Sequence, residues 1–509
     1  MNGMTTRNTA LAVLGILIIA IFLRTYHLSS LPPGLYPDEA MNGNNALEVL
    51  GSGDFSTEGG PASGWKVYYP ENNGREGLFM NIQAVFLATF LKMTGGDPEP
   101  WMLRFASTVF GSFTVLGLYF LGRELFGRKA GLAASFFLAT SFWHIMFSRI
   151  GFRAIMAPFF LVWASFFLIR AIRLGALPRR QLVFAAIGGL AFGLGFYSYI
   201  AYRVSPLLLL IVVPFFWRER RFWKTAGVFT VVAFFVALPI GLYYLANPAD
   251  FMGRTTQVSV FGSPTVMKDL VLNIAKTAGM FNIAGDFNWR HNYAGRPELF
   301  WPVGLLFLAG LGYGAKRLFG ALRHWTIFGT DRDESFAWKF TGAWFALAAL
   351  PVVISNEGLP HALRAILMIP PTMIFAGEAA GAIYDRFVRG RFSIQTVVFG
   401  IAFAIAFLTV EAGTAYFKKW GGSPEAQGAF AANYVELGRE IRALPKETPK
   451  YIVVEAGGVL VRGIPMPAQT VMFMTDSFTP EKQREKNIHY VLPPDRESIP
   501  AGARVFEIR

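Results

Sequence analysis

The stretch that decides the fold is Thr9–Thr25, which reads TALAVLGILIIAIFLRT and has a single charge, Arg24, near its end. A helix that crosses a bilayer needs roughly 17–25 mostly apolar residues, and this stretch meets that requirement. Similar apolar blocks recur along the chain, at residues 9–25, 101–122, 131–147, 154–174, 181–197, 204–217, 225–245, 299–316, 338–354, 363–383 and 393–413. The pattern predicts an all-α polytopic membrane protein with about 11 transmembrane helices.

Composition agrees with a membrane protein. The chain has 509 residues, of which 53% are hydrophobic, and it contains 50 Phe and no Cys. Its net charge of +14 would suit a nucleic-acid-binding protein, but the Lys and Arg residues lie in short clusters between apolar blocks, where the positive-inside rule expects them. We therefore predict no nucleic-acid partner, and the absence of cysteine excludes disulfides and thiolate metal sites.

Residues 78–92 form a further apolar segment of ambiguous role, since they include Asn81, Gln83 and Lys92. If this segment does not span, the main basic clusters fall on the same side as Arg7, which is then the cytoplasm. We therefore predict a juxtamembrane helix on the outer surface, a cytoplasmic N-terminus and an extracytoplasmic C-terminus. The expected location is the plasma (inner) membrane.

This topology divides the chain into a membrane domain, 1–413, and an extracytoplasmic tail, 414–509. Two large outer loops, 26–100 and 246–298, belong to the membrane domain. The tail is polar and helix-like from Lys418 to Lys450, and short strand-like runs begin at Tyr451, Val471 and His489. We expect a small α/β region there.

The first outer loop carries a pair of carboxylates, Asp38 and Glu39, in LPPGLYPDEA at 31–40. Pro37 restricts the backbone, and a helix is expected from Asp38 onward. Such a pair often does no more than cap a helix. It can also act in sugar transfer, where a carboxylate takes the proton of the attacking hydroxyl.

A second charged pair, Arg75 and Glu76, stands where the juxtamembrane helix begins. It is either an ordinary interfacial ion pair, which contributes little, or a second site carboxylate with an arginine that orients it or binds phosphate. Four more residues are possible substrate contacts: Tyr69, Tyr199, His291 and His361.

Several arginines are predicted on the outer side, where the positive-inside rule disfavours them. A guanidinium matches a phosphate well, although snorkelling to lipid headgroups also explains a single such residue. The candidate phosphate ligands are Arg149, Arg153, Arg203 and Arg364, together with Arg75.

Four motifs resemble those of the GT-C glycosyltransferases, in particular family 39 with the lipid A aminoarabinose transferases and the protein O-mannosyltransferases. They are YPDEA at 36–40, GREGLF at 74–79, RELFGR at 123–128 and HALR at 361–364. The resemblance extends over about residues 1–415 in architecture, and the first outer loop is its specific part.

The resemblance implies the GT-C fold and inverting transfer of a sugar from a polyprenyl-phosphate donor at an extracytoplasmic site. Asp38 matches the family's catalytic acidic position, and we expect it to act as the general base. Glu76 matches the second acidic position. A Lys or Pro often follows that second acid in these families, whereas Gly77 follows it here. The resemblance favours no metal, although Mg or Mn is possible, and the acceptor is a lipid, a protein or a glycan.

Three alternatives remain open at this stage. A lipid-linked glycan flippase or carrier would also need the spans and the outer arginines. A transferase of the same class could use a larger, oligosaccharyl donor. The tail could instead make the protein a scaffold for a partner.

Overall fold

The computed structural model describes residues 5–52, 65–174, 178–257, 259–323 and 332–509. Each of the predicted spans overlaps a helix or a pair of helices. Up to residue 413 the helices are α1 Thr6–Thr25, α2 Pro37–Ser52, α3 Leu78–Thr94, α4 Pro100–Phe126, α5 Arg128–Ala139, α6 Phe142–Ser148, α7 Met156–Arg173, α8 Pro178–Gly195, α9 Ser205–Phe216, α10 Arg220–Ala246, α11 Pro248–Gln257, α12 Val266–Gly279, α13 Trp301–Arg323, α14 Arg332–Val353, α15 Ile369–Ile383 and α16 Ile394–Gly413.

Seven helices of the described ranges are long and apolar enough to cross a membrane. They contain α1, α4, α7, α10, α14, α15 and α16, and the pair α5–α6 makes an eighth if it counts as one span. Helices α8, α9 and α13 lie at the three remaining predicted spans. The protein is thus a multi-pass, mostly helical membrane protein, and the number of 11 spans stays a prediction.

The predicted span 131–147 is broken in the structure. Helices α5 and α6 meet at an angle of 61°, and the Ser141 hydroxyl accepts a hydrogen bond from the His144 amide at 3.3 Å. A serine in this N-cap position satisfies a free amide of the second helix, so the chain starts a new helix in another direction.

The described part of the predicted first outer loop contains two helices and a hairpin. Strand β1, Tyr68–Tyr69, pairs antiparallel with β2, Arg75–Glu76. Helix α2 begins at Pro37 rather than at Asp38, and α3 confirms the helix predicted over 78–92. The Gln83 amide of α3 donates to the Leu103 carbonyl of α4 at 3.1 Å, which fixes α3 against a long membrane helix.

The tail has the predicted α/β character. The elements of the tail are α17 Pro424–Ala429, α18 Ala432–Ala443, β3 Lys450–Val454, β4 Leu460–Val461, β5 Ile464–Pro465, α19 Gln469–Thr475, α20 Pro480–Lys486, β6 Ile488–Val491 and β7 Arg504–Ile508. Strands β3, β6 and β7 form a parallel sheet in the order β6-β3-β7.

One predicted strand of the tail was wrong. The run that begins at Val471 lies in helix α19, and its apolar residues 471–474 are all buried. A short apolar run without alternation does not distinguish a buried strand from a buried helix. Here the run packs against α2 and α18, which gives all of its side chains an apolar environment.

The tail is docked on the first outer loop through polar contacts. The Thr470 hydroxyl donates to the Leu35 carbonyl at 2.9 Å, and the Asn44 amide donates to the Gln469 carbonyl at 3.1 Å. Arg462 forms ion pairs with Glu48 of α2 and with Glu71 of the hairpin, both at 2.9 Å. These contacts fix the segment that carries Asp38.

Candidate active site

A cavity of about 480 Å³ lies where the predicted first outer loop meets four later segments of the chain, one of which contributes Tyr199. We call the side formed by residues 36–42, 72–75 and 152–154 the first wall, and the side formed by residues 286–291 and 357–364 the second wall. Seven of the predicted site residues line this cavity: Asp38, Arg75, Arg153, Tyr199, His291, His361 and Arg364. The other five are not among its lining residues: Glu39, Tyr69, Glu76, Arg149 and Arg203.

Asp38 occupies the first turn of α2 in the first wall. The positive end of the helix dipole favours a carboxylate there. The Asn72 amide donates to Asp38 Oδ1 at 2.6 Å and so orients the carboxylate in the cavity. Burial, together with the charge of Asp38, raises the pKa of the neighbouring Tyr36.

The β1–β2 hairpin positions Arg75. Gly74 has φ +78°, and a Cβ there would lie 1.9 Å from the Tyr68 hydroxyl oxygen, so this turn requires glycine. The Arg75 guanidinium donates to Asn42 Oδ1 at 2.8 Å and to Asn45 Oδ1 at 2.7 Å. Burial lowers the pKa of Arg75 to about 10, which still leaves it protonated at neutral pH.

Glu76 lies behind the first wall and forms ion pairs with two arginines. Its Oε2 forms an ion pair with Arg153 Nε at 2.7 Å, and its Oε1 lies 3.9 Å from Arg203 Nη2. Arg153 lines the cavity, whereas Glu76 is only 3% exposed. The geometry gives Glu76 the role of orienting Arg153.

Glu39 is fully buried and also paired. Its Oε2 lies 2.9 Å from Arg104 Nε and accepts the Gly151 amide at 2.9 Å. Arg104 further donates to the carbonyls of Pro32 and Gly34. The pair therefore ties α2 to α4 and to the loop before α7, and it sits outside the cavity.

Two of the predicted phosphate ligands are engaged elsewhere. Arg149 donates to the carbonyls of Leu23, Tyr26 and Leu31 at 2.7–3.1 Å. Arg203 donates to the Phe251 carbonyl at 2.8 Å and stacks over the Phe251 ring, 4.3 Å from its centroid. Both residues stabilise loops near the membrane helices, which accounts for an arginine at their predicted outer positions without a ligand.

Tyr69 is likewise remote from the cavity. It is 1% exposed, and the Arg75 guanidinium lies 5.8 Å from its ring centroid. This contact gives Tyr69 a supporting position beneath Arg75.

The second wall is organised by Asp286. Its Oδ2 lies 3.1 Å from His291 Nδ1 and 3.8 Å from His361 Nδ1. Burial opposes ionisation of Asp286, but the hydrogen bond and the charge of His291 outweigh it and lower its pKa. Burial, together with the neighbouring positive groups, lowers the pKa of His361 to about 3, so this imidazole is neutral at physiological pH.

Two arginines complete the second wall. Arg290 lies over the Tyr36 ring, with its guanidinium carbon 4.2 Å from the ring centroid, and thereby joins the two walls. Arg364 donates to the carboxylate of Glu357 at 3.2 Å. Among the described residues, four arginines line the cavity: Arg75, Arg153, Arg290 and Arg364.

Sequence reasoning missed several of these residues. Asp286, Arg290, Asn42 and Asn72 line the cavity, yet none was predicted as a site residue. The spacing of Asp286 and His291 is a weak signal for a carboxylate–imidazole pair. Nothing in the sequence connects Asp286 to His361, because that contact depends on the fold.

A possible metal site also arises in the second wall. Asp286, His291 and His361 each offer one ligand atom, and these atoms lie within 4.8 Å of one another. The sequence prediction favoured no metal and left Mg or Mn possible. This group offers two nitrogen ligands and one oxygen ligand to an ion.

Comparison with known proteins agrees with the fold. Residues 82–244 match the family model described as dolichyl-phosphate-mannose-protein mannosyltransferase. A search of curated proteins finds no match in sequence.

Two kinds of solved structure are similar. The Archaeoglobus fulgidus oligosaccharyltransferase in its apo form matches with a TM-score of 0.55 and 13% identity over 92% of this chain. The same archaeal enzyme, AglB, has also been solved with an inhibitory peptide and a dolichol-phosphate, and it matches with a TM-score of 0.55. The present chain spans only 64% of the length of the apo oligosaccharyltransferase chain.

The second is ArnT from Cupriavidus metallidurans bound to undecaprenyl phosphate. It matches with a TM-score of 0.54 and 15% identity, over 96% of this chain and 90% of the ArnT chain. Both similar proteins have the GT-C fold. This shared architecture gives the chain the GT-C fold, and residues 82–244 carry the match to the mannosyltransferase family model.

Proposed function

We propose that this chain transfers a sugar from a polyprenyl-phosphate donor to an acceptor hydroxyl on the extracytoplasmic side of the plasma membrane, with inversion at the anomeric carbon. The observation that carries the proposal is the presence of Asp38 and four arginine side chains in one cavity. The acceptor is a lipid, a protein or a glycan.

The arginines supply the binding site for the donor phosphate. A guanidinium group donates several hydrogen bonds in a plane and remains charged when partly buried. We assign this role to Arg75, Arg153, Arg290 and Arg364, which all line the cavity. We no longer assign Arg149 and Arg203 as phosphate ligands, because both already donate hydrogen bonds to main-chain carbonyls.

The chemical step uses Asp38 as general base. Asp38 takes the proton of the acceptor hydroxyl while that oxygen forms a bond to the anomeric carbon. The bond from the anomeric carbon to the phosphate oxygen breaks at the same time, and its electron pair leaves with the polyprenyl phosphate. The arginines stabilise the growing negative charge on the leaving group.

The similar proteins support a lipid-linked donor. The matching family is named for dolichyl-phosphate-mannose, and the similar ArnT structure contains undecaprenyl phosphate. Both contain a long isoprenoid chain joined to a phosphate. A donor of this kind would hold its phosphate at the membrane surface, next to the arginines of the cavity.

The test compares wild type with Asp38→Asn, both purified in detergent, with polyprenyl-phosphate sugars and a membrane extract that provides acceptors. Release of free polyprenyl phosphate is measured over time. The amide has the shape of the carboxylate but cannot take the proton, so we expect release to fall by about two to four orders of magnitude. Asp97→Asn is the matched control, since Asp97 is exposed and pairs with Arg442 outside the cavity.

Two outcomes would count against the proposal. Equal release by wild type and Asp38→Asn would remove Asp38 as the base. Donor translocation without any release, measured in liposomes, would favour the flippase alternative over a transferase. The unfolding temperatures of both variants are also measured. If they equal that of wild type, a difference in release reflects the chemical step and not a loss of folded protein.

A further inference from the structure

We propose that Asp286, His291 and His361 bind a divalent transition metal ion, and that zinc is the ion their chemistry fits best. These residues come from two loops of the second wall and lie on the cavity. Neither the donor-binding arginines nor Asp38 belongs to this group, so the proposal is independent of the proposed transfer reaction.

The distances fit a small tetrahedral ion. Zinc bonds of about 2.0–2.2 Å to nitrogen and oxygen place neighbouring ligand atoms about 3.3–3.5 Å apart. The carboxylate Oδ2 of Asp286 lies 3.1 Å from His291 Nδ1 and 3.8 Å from His361 Nδ1. All three ligand atoms lie within 4.8 Å of one another, so rotations of the side chains would bring them around one ion.

His361 gives the second, independent observation. Its Nδ1 is buried and has no hydrogen-bond partner among the residues that the structure describes. A buried polar atom without a partner is costly and uncommon in native proteins. A metal ion between His361 and Asp286 would satisfy this nitrogen, whereas the 3.8 Å separation is too long for a hydrogen bond.

The Asp286 carboxylate is held in place by its surroundings. Its Oδ2 accepts the Ala362 amide at 2.9 Å, and its Oδ1 accepts the Asn288 amide at 2.8 Å. The buried Glu298 accepts the amide of Asp286 itself at 3.0 Å. Outer contacts of this kind orient metal ligands and raise metal affinity.

The ligand set indicates the class of ion and leaves a coordination position available. Two imidazoles and one carboxylate suit zinc, whereas Mg and Ca prefer oxygen ligands alone. Three protein ligands with a fourth position for water or substrate are typical of zinc sites with a chemical role. Because all three residues line the cavity, the fourth ligand would be a cavity water or a phosphate oxygen.

The experiment measures metal binding and not transfer. Full-length protein in detergent is stripped with a chelator, and Zn²⁺, Mn²⁺ and Mg²⁺ are titrated separately by calorimetry. Metal content after dialysis is measured by mass spectrometry. We expect one zinc ion per chain and at least a tenfold loss of affinity in His361→Ala and in Asp286→Asn. His489→Ala is the matched control, because His489 lies in the tail and contacts Asn487.

A spectroscopic measurement keeps the proposal testable if a variant folds poorly. Wild-type protein loaded with Co²⁺ should show the visible absorption of a tetrahedral site. Competition by Zn²⁺ should remove this absorption. The proposal is wrong if wild type binds no zinc or prefers Mg²⁺. It is also wrong if the folded His361→Ala variant binds zinc as tightly as wild type does. In the last case the zinc site lies elsewhere, and Asp286 only orients His291.

Discussion

The two walls of the cavity hold their charged groups in different ways. Behind the first wall, Glu39 and Glu76 are each buried against an arginine from another segment, at 2.9 and 2.7 Å. In the second wall, the Glu357 carboxylate that pairs with Arg364 is 71% exposed. Removing one partner of a buried ion pair is far more costly than breaking an exposed one. We infer that the ion pairs behind the first wall contribute more to stability than the Arg364–Glu357 pair of the second wall does.

The largest effect should come from Arg104→Ala. This change leaves Glu39 buried with no cationic partner, which we expect to destabilise the protein by about 3–5 kcal/mol. The matched variant Arg364→Ala should cost no more than about 1 kcal/mol. Thermal unfolding in detergent, followed by tryptophan fluorescence, checks both. Similar losses in the two variants would mean that the walls do not differ in this way.

A smaller effect concerns Arg290, which joins the walls by stacking on Tyr36. Arg290→Ala should reduce polyprenyl phosphate release by about tenfold or more, since a hydrogen bond to a charged group contributes about 1.5–3 kcal/mol. Arg290→Lys should recover only part of the loss, because lysine keeps the charge but not the planar stack. Rates measured against donor concentration separate KM from kcat. Full recovery by lysine would leave charge as the only contribution of this residue.

The smallest effect should come from Arg462, which ties the tail to the first wall. Its two ion pairs are partly exposed. Arg462→Ala should therefore slow release by about two- to fivefold, as expected when exposed ion pairs contribute about 0.2–1 kcal/mol.

Arg496→Ala is the control for Arg462, because Arg496 pairs with Glu455 and Glu507 inside the tail. Equal rates in the two variants would show that the tail does not influence the first wall through Arg462.

The walls also differ in how far the sequence predicts them. Asp38 and Arg75 lie in short motifs of one loop, and the fold places both on the cavity. Asp286 and His361 are 75 residues apart, and no local pattern links them. Distant contacts of this kind depend on tertiary packing, which a single sequence does not specify.

Arg149 illustrates a different limit. Its position on the predicted outer side suggested a phosphate ligand, yet its guanidinium binds carbonyls at the end of α1 and in the loop that follows it. The free carbonyls at a helix end need donors as much as a phosphate does. A count of charges on each side of the membrane does not separate these two uses.

The helices were predicted well because each apolar block is long and continuous. The kink between α5 and α6 was missed because Thr140 and Ser141 are both compatible with a membrane helix. The strand predicted at Val471 failed for a related reason, since four buried apolar residues suit either secondary structure.

The docking of the tail has a consequence for the order of assembly. The hydrogen bond from Thr470 to Leu35 joins residues 435 positions apart. At about 5–20 residues per second, translation of that interval takes roughly 20–90 s. The Asp38 segment therefore enters the membrane environment long before the residues that fix it exist, and the first wall is completed only after the membrane helices have been made.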